Sequence, residues 1–197
     1  MKILIDNGHG QETPGKRSPD GKFREYSWAR EIAERIVSGL KNMGYDAERI
    51  VTEQTDVSLQ ERCRRVNEVC GRLGKDNVVL VSIHVNAAGN GSAWMNARGW
   101  SAYTSKGQTK ADELASCLYE AAKRCLSPEI KIRTDYSDGD ADWEENFYIL
   151  NKTKCPAVLT ENLFQDNKED IEYLISEKGK QTIVQLHIDG ISKYIKA

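Results

Sequence analysis

Long apolar runs are missing from this sequence. No stretch approaches the roughly 20 consecutive apolar residues that span a bilayer, and the opening Met1-Lys2-Ile3-Leu4-Ile5-Asp6 carries no charged leader, apolar segment or small-residue cleavage site. Membrane insertion is therefore not expected, and synthesis is expected in the cytoplasm without a signal peptide. Proline is scarce, at four residues, and no low-complexity tract occurs; 39% hydrophobic and 29% charged residues exclude collagen-like, mucin-like and disordered classes. An excess of one charge is also absent. Twenty-eight basic against thirty acidic side chains leave a net charge of −2, which gives no field for gripping a polyanion, so no nucleic-acid partner is expected. The five cysteines, at 63, 70, 117, 125 and 155, form no CxxC pair, and an odd number cannot all pair within one chain. Free thiols and a reducing site of synthesis follow.

What is present is an alternation of strand-like and helix-like segments. Its 197 residues suit one hydrophobic core, so a single domain over 1–197 is expected. The run Ile3-Leu4-Ile5 ends at Asn7-Gly8-His9-Gly10 and opens into a polar loop reaching about residue 24. Apolar positions 28, 32, 36, 40 and 43 predict a helix ending near Gly44, and Asp46 to Val51 a second strand. Ser58-Leu59-Gln60-Glu61 reads as a capping box for a helix with Leu59, Cys63, Val66, Cys70 and Leu73 inward. Val78 to Ile83 is nearly continuous and β-branched, as in a parallel strand covered on both faces, and delivers His84 at its end. Further on, the pattern predicts a strand from Arg98 to Thr104, a helix through Leu114, Leu118, Ala121 and Cys125, a strand around Ile130 and Ile132, an acidic loop from Asp135 to Glu145, a short buried strand at Ala157–Thr160, and a closing helix from about 178 to 195. The expected fold is α/β, a three-layer αβα sandwich around a mainly parallel or mixed twisted sheet.

In open α/β sheets ligands bind beyond the carboxyl ends of the strands, where His9, His84 and Glu161 fall in this reading. A single histidine is more often structural than a ligand. Two histidines after apolar strands, among small residues and joined by a loop that supplies carboxylates, point instead to a metal site. Catalytic zinc commonly takes two histidines and one carboxylate and leaves a position for water. Glu12, Asp20, Glu25 and Glu31 are all candidates for the third ligand, and spacing does not choose among them.

Four motifs, Ile5-Asp6-Asn7-Gly8-His9-Gly10, Phe23-Arg24-Glu25-Tyr26, Ser82-Ile83-His84-Val85-Asn86-Ala87 and Pro156 to Phe164, resemble in their order the zinc-dependent N-acetylmuramoyl-L-alanine amidases of the amidase family 3 type. The resemblance spans nearly the whole chain. It implies one Zn2+ per chain bound by His9, Glu25 and His84, with Glu161 as the catalytic carboxylate. The implied reaction is hydrolysis of the amide between N-acetylmuramic acid and L-alanine in bacterial peptidoglycan. The alternatives are another zinc peptidase acting on wall peptides, in the manner of a carboxypeptidase, and a noncatalytic peptidoglycan-binding module. Without a leader or a separate cell-wall-binding domain, the reading is of an endolysin of phage or prophage that reaches the wall after release by lysis.

Other signals read as bland. Asp138, Asp140 and Asp142 mimic the start of a calcium-binding EF-hand loop, but Trp143 stands where that loop needs Gly and Ile149 where it needs Glu, so an EF-hand is rejected and a solvated acidic loop is expected. Trp94, Trp100 and Tyr103 have the chemistry to stack on sugars but are expected to pack the strand edge or core. His187 falls within the apolar pattern of the last helix, and a packed role is expected. Asn86, Arg98 and Asn162 are the polar residues nearest the motifs that offer a second electrophile, without a signal that selects any of them.

Overall fold

A strand covered on both faces sends alternate residues into two different apolar layers. That division organises the computed structural model, which describes residues 1–197. In chain order the elements are β1 (Lys2–Asn7), α1 (Glu25–Asn42), β2 (Asp46–Arg49), α2 (Leu59–Leu73), β3 (Val78–Asn86), β4 (Ser101–Thr104), α3 (Lys110–Cys125), β5 (Trp143–Glu144), α4 (Tyr148–Lys152), β6 (Ala157–Phe164), α5 (Lys168–Ile175) and α6 (Glu177–Lys196). Ile3, Ile5, Val79, Val81 and Ile83 face a layer built by α1, α3, α5 and α6, whereas Leu4, Val78 and Leu80 face α2 and α4. The first layer contains 34 buried apolar residues and the second 16, so the sandwich is lopsided.

The sheet order is β2-β1-β3-β6-β4-β5. β2, β1, β3 and β6 run parallel, and β4 is antiparallel to β6. The expected three-layer fold with a mainly parallel sheet is what the chain adopts. Local chemistry explains most boundaries. Ser58 caps α2 by accepting from the Glu61 amide, but the Glu61 carboxylate turns to Arg64 and Arg65 rather than back to the cap. The complete capping box lies at α3, where Thr109 and Asp112 bond reciprocally. Ile132 makes only an isolated bridge to Trp100, so no strand forms around Ile130 and Ile132. Helices α4 and α5 were not legible; at five and eight residues they are too short for a helical period to stand out. No helix is long and apolar enough to cross a membrane. All five cysteines are free.

Two buried polar groups tie the elements together. Arg62 on α2 is 2% exposed and donates to Asp6 Oδ1 at 2.6 Å, to the Val57 and Asn7 carbonyls at 2.8 and 2.7 Å, and to the His9 carbonyl at 3.3 Å. Asp6 is closed off on its other side by the Ser82 hydroxyl at 2.5 Å. His187 on α6 is fully buried; its Nδ1–H donates to the Ile183 carbonyl at 2.7 Å, which leaves Nε2 to accept from the Thr160 hydroxyl at 2.9 Å. Neutral imidazole is thus satisfied on both sides, and burial pushes its pKa down to about 4.

Removing the Arg62 cation strands the Asp6 carboxylate in the core. Arg62→Ala should cost about 3–5 kcal/mol, read as a fall in Tm of roughly 6–20 °C for a chain of this size; a loss below about 1 kcal/mol would show the pair to be dispensable. Burial of neutral His187 makes stability depend on pH. Its folded pKa, about 4, lies below the ordinary 6.5, so between those values the unfolded chain binds a proton that the folded chain refuses. The stability difference between the native protein and His187→Leu should therefore be constant above pH 6.5 and shrink by about 1.4 kcal/mol per pH unit as pH falls toward 4. Urea denaturation across that range checks it, and a pH-independent difference would contradict it.

Candidate metal centre and catalytic cleft

Each sequence-predicted site residue sits at an interruption of regular structure. His9 follows β1 with φ 61°, a left-handed conformation uncommon outside glycine and costly enough to need support from its surroundings. That support comes from Arg62 on its carbonyl and from the Gly8 amide, which donates to the Ile83 carbonyl at 3.1 Å. Gly8 is required by close approach: a Cβ there would lie 2.3 Å from Cε1 of His84. Glu25 begins α1. The loop before it folds back on itself, with the Ser18 and Phe23 backbones bonded and the Glu25 amide donating to the Lys16 carbonyl at 3.1 Å. His84 lies within β3 and is paired in register with Glu161 on β6. Immediately beyond, two residues of β6, Asn162 and Leu163, stand opposite Val85 alone, and Leu163 has φ 65°. This is a bulge of the kind that re-aims side chains beside sites.

The four residues come together at the carboxyl ends of β1, β3 and β6. One ligand atom from each of His9, Glu25 and His84 lies within 4.8 Å of the others. Glu25 Oε1 is 3.1 Å from His84 Nδ1 and 3.5 Å from His9 Nε2, and accepts from the Val85 amide at 3.0 Å. Glu25 is 0% exposed, yet its Oε2 has no partner. Two imidazole nitrogens plus a carboxylate with an orphaned buried oxygen form a donor set that fits zinc. The two histidines face a cleft of about 370 Å³, also lined by Lys16, Arg62, Phe147, Tyr148, Leu159 and Glu161. Among the other candidate third ligands, Glu12 accepts from the Asp56 amide, Asp20 from Ser18 and Lys22, and Glu31 pairs with Arg35 and Lys180. Glu25 alone is turned toward the histidines.

The environment separates the two carboxylates. Burial would raise Glu25, but the hydrogen bond from His84 and the charges of both imidazoles hold it below the usual carboxylate range. Burial pushes Glu161 up to about 7, with Glu25 adding to the rise while His84, Lys16 and Arg133 oppose it. Glu161 Oε2 is buried without a partner. His9 is lowered to about 4 by burial; His84, which burial would lower, is held above its ordinary value by Glu25.

Three polar residues near the motifs serve the frame. Asn162 accepts from the Trp100 indole and donates to the His84 carbonyl, both at 3.0 Å. Arg98 pairs with Glu169 and Asp170, and Asn86 bonds its neighbour's amide. Trp100 is fully buried and Tyr103 is 8% exposed, so both pack inside, whereas Trp94 stacks under Lys168 away from the cleft. Sequence reasoning missed Lys16 in the cleft and the Arg62 brace; the signal for Arg62 was a charge within the apolar stripe of α2.

The same architecture occurs in known proteins. The crystal structure of an N-acetylmuramoyl-L-alanine amidase from Clostridium difficile 630 superposes with a TM-score of 0.80 at 24% identity, covering 100% of this chain and 97% of that one. AmiC2 of Nostoc punctiforme, also an N-acetylmuramoyl-L-alanine amidase, gives 0.79 at 25% identity, covering 100% and 98%. In sequence, the chain is 28% identical to an endolysin of Bacillus phage SPP1 over 98% of its own length and 65% of that protein's, so it spans just under two thirds of this relative. Residues 3–193 match the family described as N-acetylmuramoyl-L-alanine amidase. That match takes in all four motifs and nearly every element of the sheet, and the chain belongs to the N-acetylmuramoyl-L-alanine amidase family.

Proposed function

We propose that this chain hydrolyses the amide bond between N-acetylmuramic acid and L-alanine in peptidoglycan, with His9, Glu25 and His84 holding one zinc ion and Glu161 acting as the catalytic carboxylate. The observation that carries the reading is the convergence of those three donor side chains beside the unpartnered Glu161 carboxylate, which lines one cleft with both histidines. Zinc held by such a set activates water and polarises a carbonyl. The protein's own residues do the rest. Glu161 Oε2, shielded and without a donor, takes the proton as water oxygen bonds to the lactyl carbonyl carbon. It then delivers that proton to the alanine nitrogen as the carbon–nitrogen bond breaks, so the leaving group departs as an amine. Raising the affinity of Glu161 for a proton suits a group that must both accept and return one. Glu25, held ionised, is suited to remain a ligand. An endolysin role, with access to the wall after lysis, is part of this reading and draws on the resemblance to the phage protein.

Glu161→Gln should lower turnover of purified peptidoglycan by about 10²–10⁴-fold while zinc, measured by atomic emission, stays near one per chain. Retained activity would remove Glu161 from the mechanism. Mass spectrometry of the native digest should show stem peptides with a new free alanine amine, lost on chelation and restored by zinc. Peptides cut elsewhere would indicate a peptidase. Gly8→Ala must displace the His84 ring, and should lower zinc content and activity together without loss of secondary structure; full zinc occupancy would show that the close approach is not needed.

A further inference from the structure

The acidic segment 135–145 does not behave as a solvated loop throughout. Asp142 is 2% exposed, accepts the Thr104 hydroxyl on Oδ2 at 2.6 Å, and leaves Oδ1 buried without any partner. Asp112, in the first turn of α3, is 8% exposed and spends one oxygen on the Thr109 amide. Asp140 accepts the Asp142 amide at 3.3 Å and the Gln108 side chain at 3.5 Å. One carboxylate oxygen from each of the three lies within 4.8 Å of the others. No basic side chain pairs with any of them; the nearest in sequence, Lys110, is bound to Asp76 at 2.8 Å.

We propose that Asp112, Asp140 and Asp142 form a second cation site, specific for calcium. Three carboxylates within 4.8 Å of one another, one of them with a buried oxygen that has no partner, repel one another unless a cation or a shared proton lies between them. Burial and that mutual repulsion push Asp142 up to about 7, and burial raises Asp112 also. The donors are all oxygen, with no imidazole or thiolate, which selects a hard ion over zinc. They come from a helix terminus and a loop, an irregular set that suits the flexible coordination of calcium better than the strict octahedron of magnesium. A surface depression lined by Gln108, Thr109, Lys110, Asp112, Glu113 and Asp140 gives the ion a path from solvent. This is not the EF-hand rejected on sequence grounds, because Asp112 is contributed from 28 residues before Asp140.

The site is separate from the catalytic cleft. β4 runs antiparallel to β6, with Ser101 opposite Glu161; Thr104 is three residues further on, about 10 Å along the strand. It is nevertheless linked to the cleft wall. Trp143, next to Asp142, packs on Tyr103 at 6.3 Å between ring centroids, and Tyr103 packs on Phe147 at 5.4 Å, a residue lining the cleft. Calcium joins the acidic loop to the start of α3, with the end of β4 attached through the Thr104–Asp142 hydrogen bond, and so fixes the segment leading to Phe147.

The test uses the zinc-loaded protein desalted without chelator. Calorimetry with CaCl2 should show one ion per chain with Kd of about 10⁻⁴–10⁻³ M, as in extracellular modules. At about ten times Kd, Tm should rise by roughly 3–6 °C. Terbium should luminesce on excitation of the neighbouring Trp143 and be displaced by calcium. Asp140→Asn, whose side chain is partly exposed, and Asp142→Asn should keep the native circular dichroism and lose all three responses. Absence of binding and of a Tm rise up to 10 mM CaCl2 (about ten times the weakest expected Kd) would overturn the site. So would equal binding by both variants, and an equal Tm rise with MgCl2 would overturn the assignment to calcium.

Discussion

The candidate metal centre depends on a buried ion pair that reaches it only through the backbone of His9. Arg62 and Asp6 meet at 2.6 Å, both 2% exposed in their side chains, and the same guanidinium grips the carbonyls of Val57, Asn7 and His9. Burial of such a pair contributes little net stability, since two desolvation costs offset the attraction. What it provides is a single geometry. Five donors in a rigid fork leave the chain after β1 one way to turn, and that turn holds His9 at positive φ with its ring 5.0 Å from that of His84.

From that brace the other parts follow in order. Gly8 lets the His84 ring lie against the backbone, Glu25 closes the set from the start of α1, and the β6 bulge follows immediately after Glu161. The two carboxylates of the cleft then differ by surroundings and not by chemistry. Glu25 accepts from the Val85 amide and His84 on one oxygen and stays ionised, whereas Glu161 has no such donors and holds a proton more readily. Such a separation suits one carboxylate to binding a cation and the other to carrying a proton.

How much of this was legible depended on whether a residue announced itself locally. β1 and β3, with their histidines, were readable because apolar runs end in small polar residues. Glu25 was not: it, Glu12, Asp20 and Glu31 are equivalent in spacing, and only the fold shows the other three bonded elsewhere while Glu25 faces the histidines. Arg62 was passed over because a charge in an apolar stripe is usually read as noise, although Asp6 in a core strand was its counterpart. The acidic loop was read by its EF-hand spacing, which fails, while the contact that matters joins Asp140 and Asp142 to a helix in another part of the chain. Charges that pair across long separations leave no periodic trace.

The lopsided sandwich has a consequence for how such a chain can diverge. The thick layer carries most of the packing, so substitutions there are felt by the whole fold. The thin layer contributes Val57, Leu59, Phe147, Tyr148 and Ile149 to the cleft from a linker, the first turn of a helix and a five-residue helix. The linker and the first turn of α2 are fixed by the Arg62 brace, which holds the Val57 carbonyl, so the short helix and the residue before it are the pieces most open to being lengthened, shortened or exchanged. Sequence change can therefore reshape the Phe147 side of the cleft while Glu25, His84 and Glu161, anchored in the sheet and at the start of α1, stay in place.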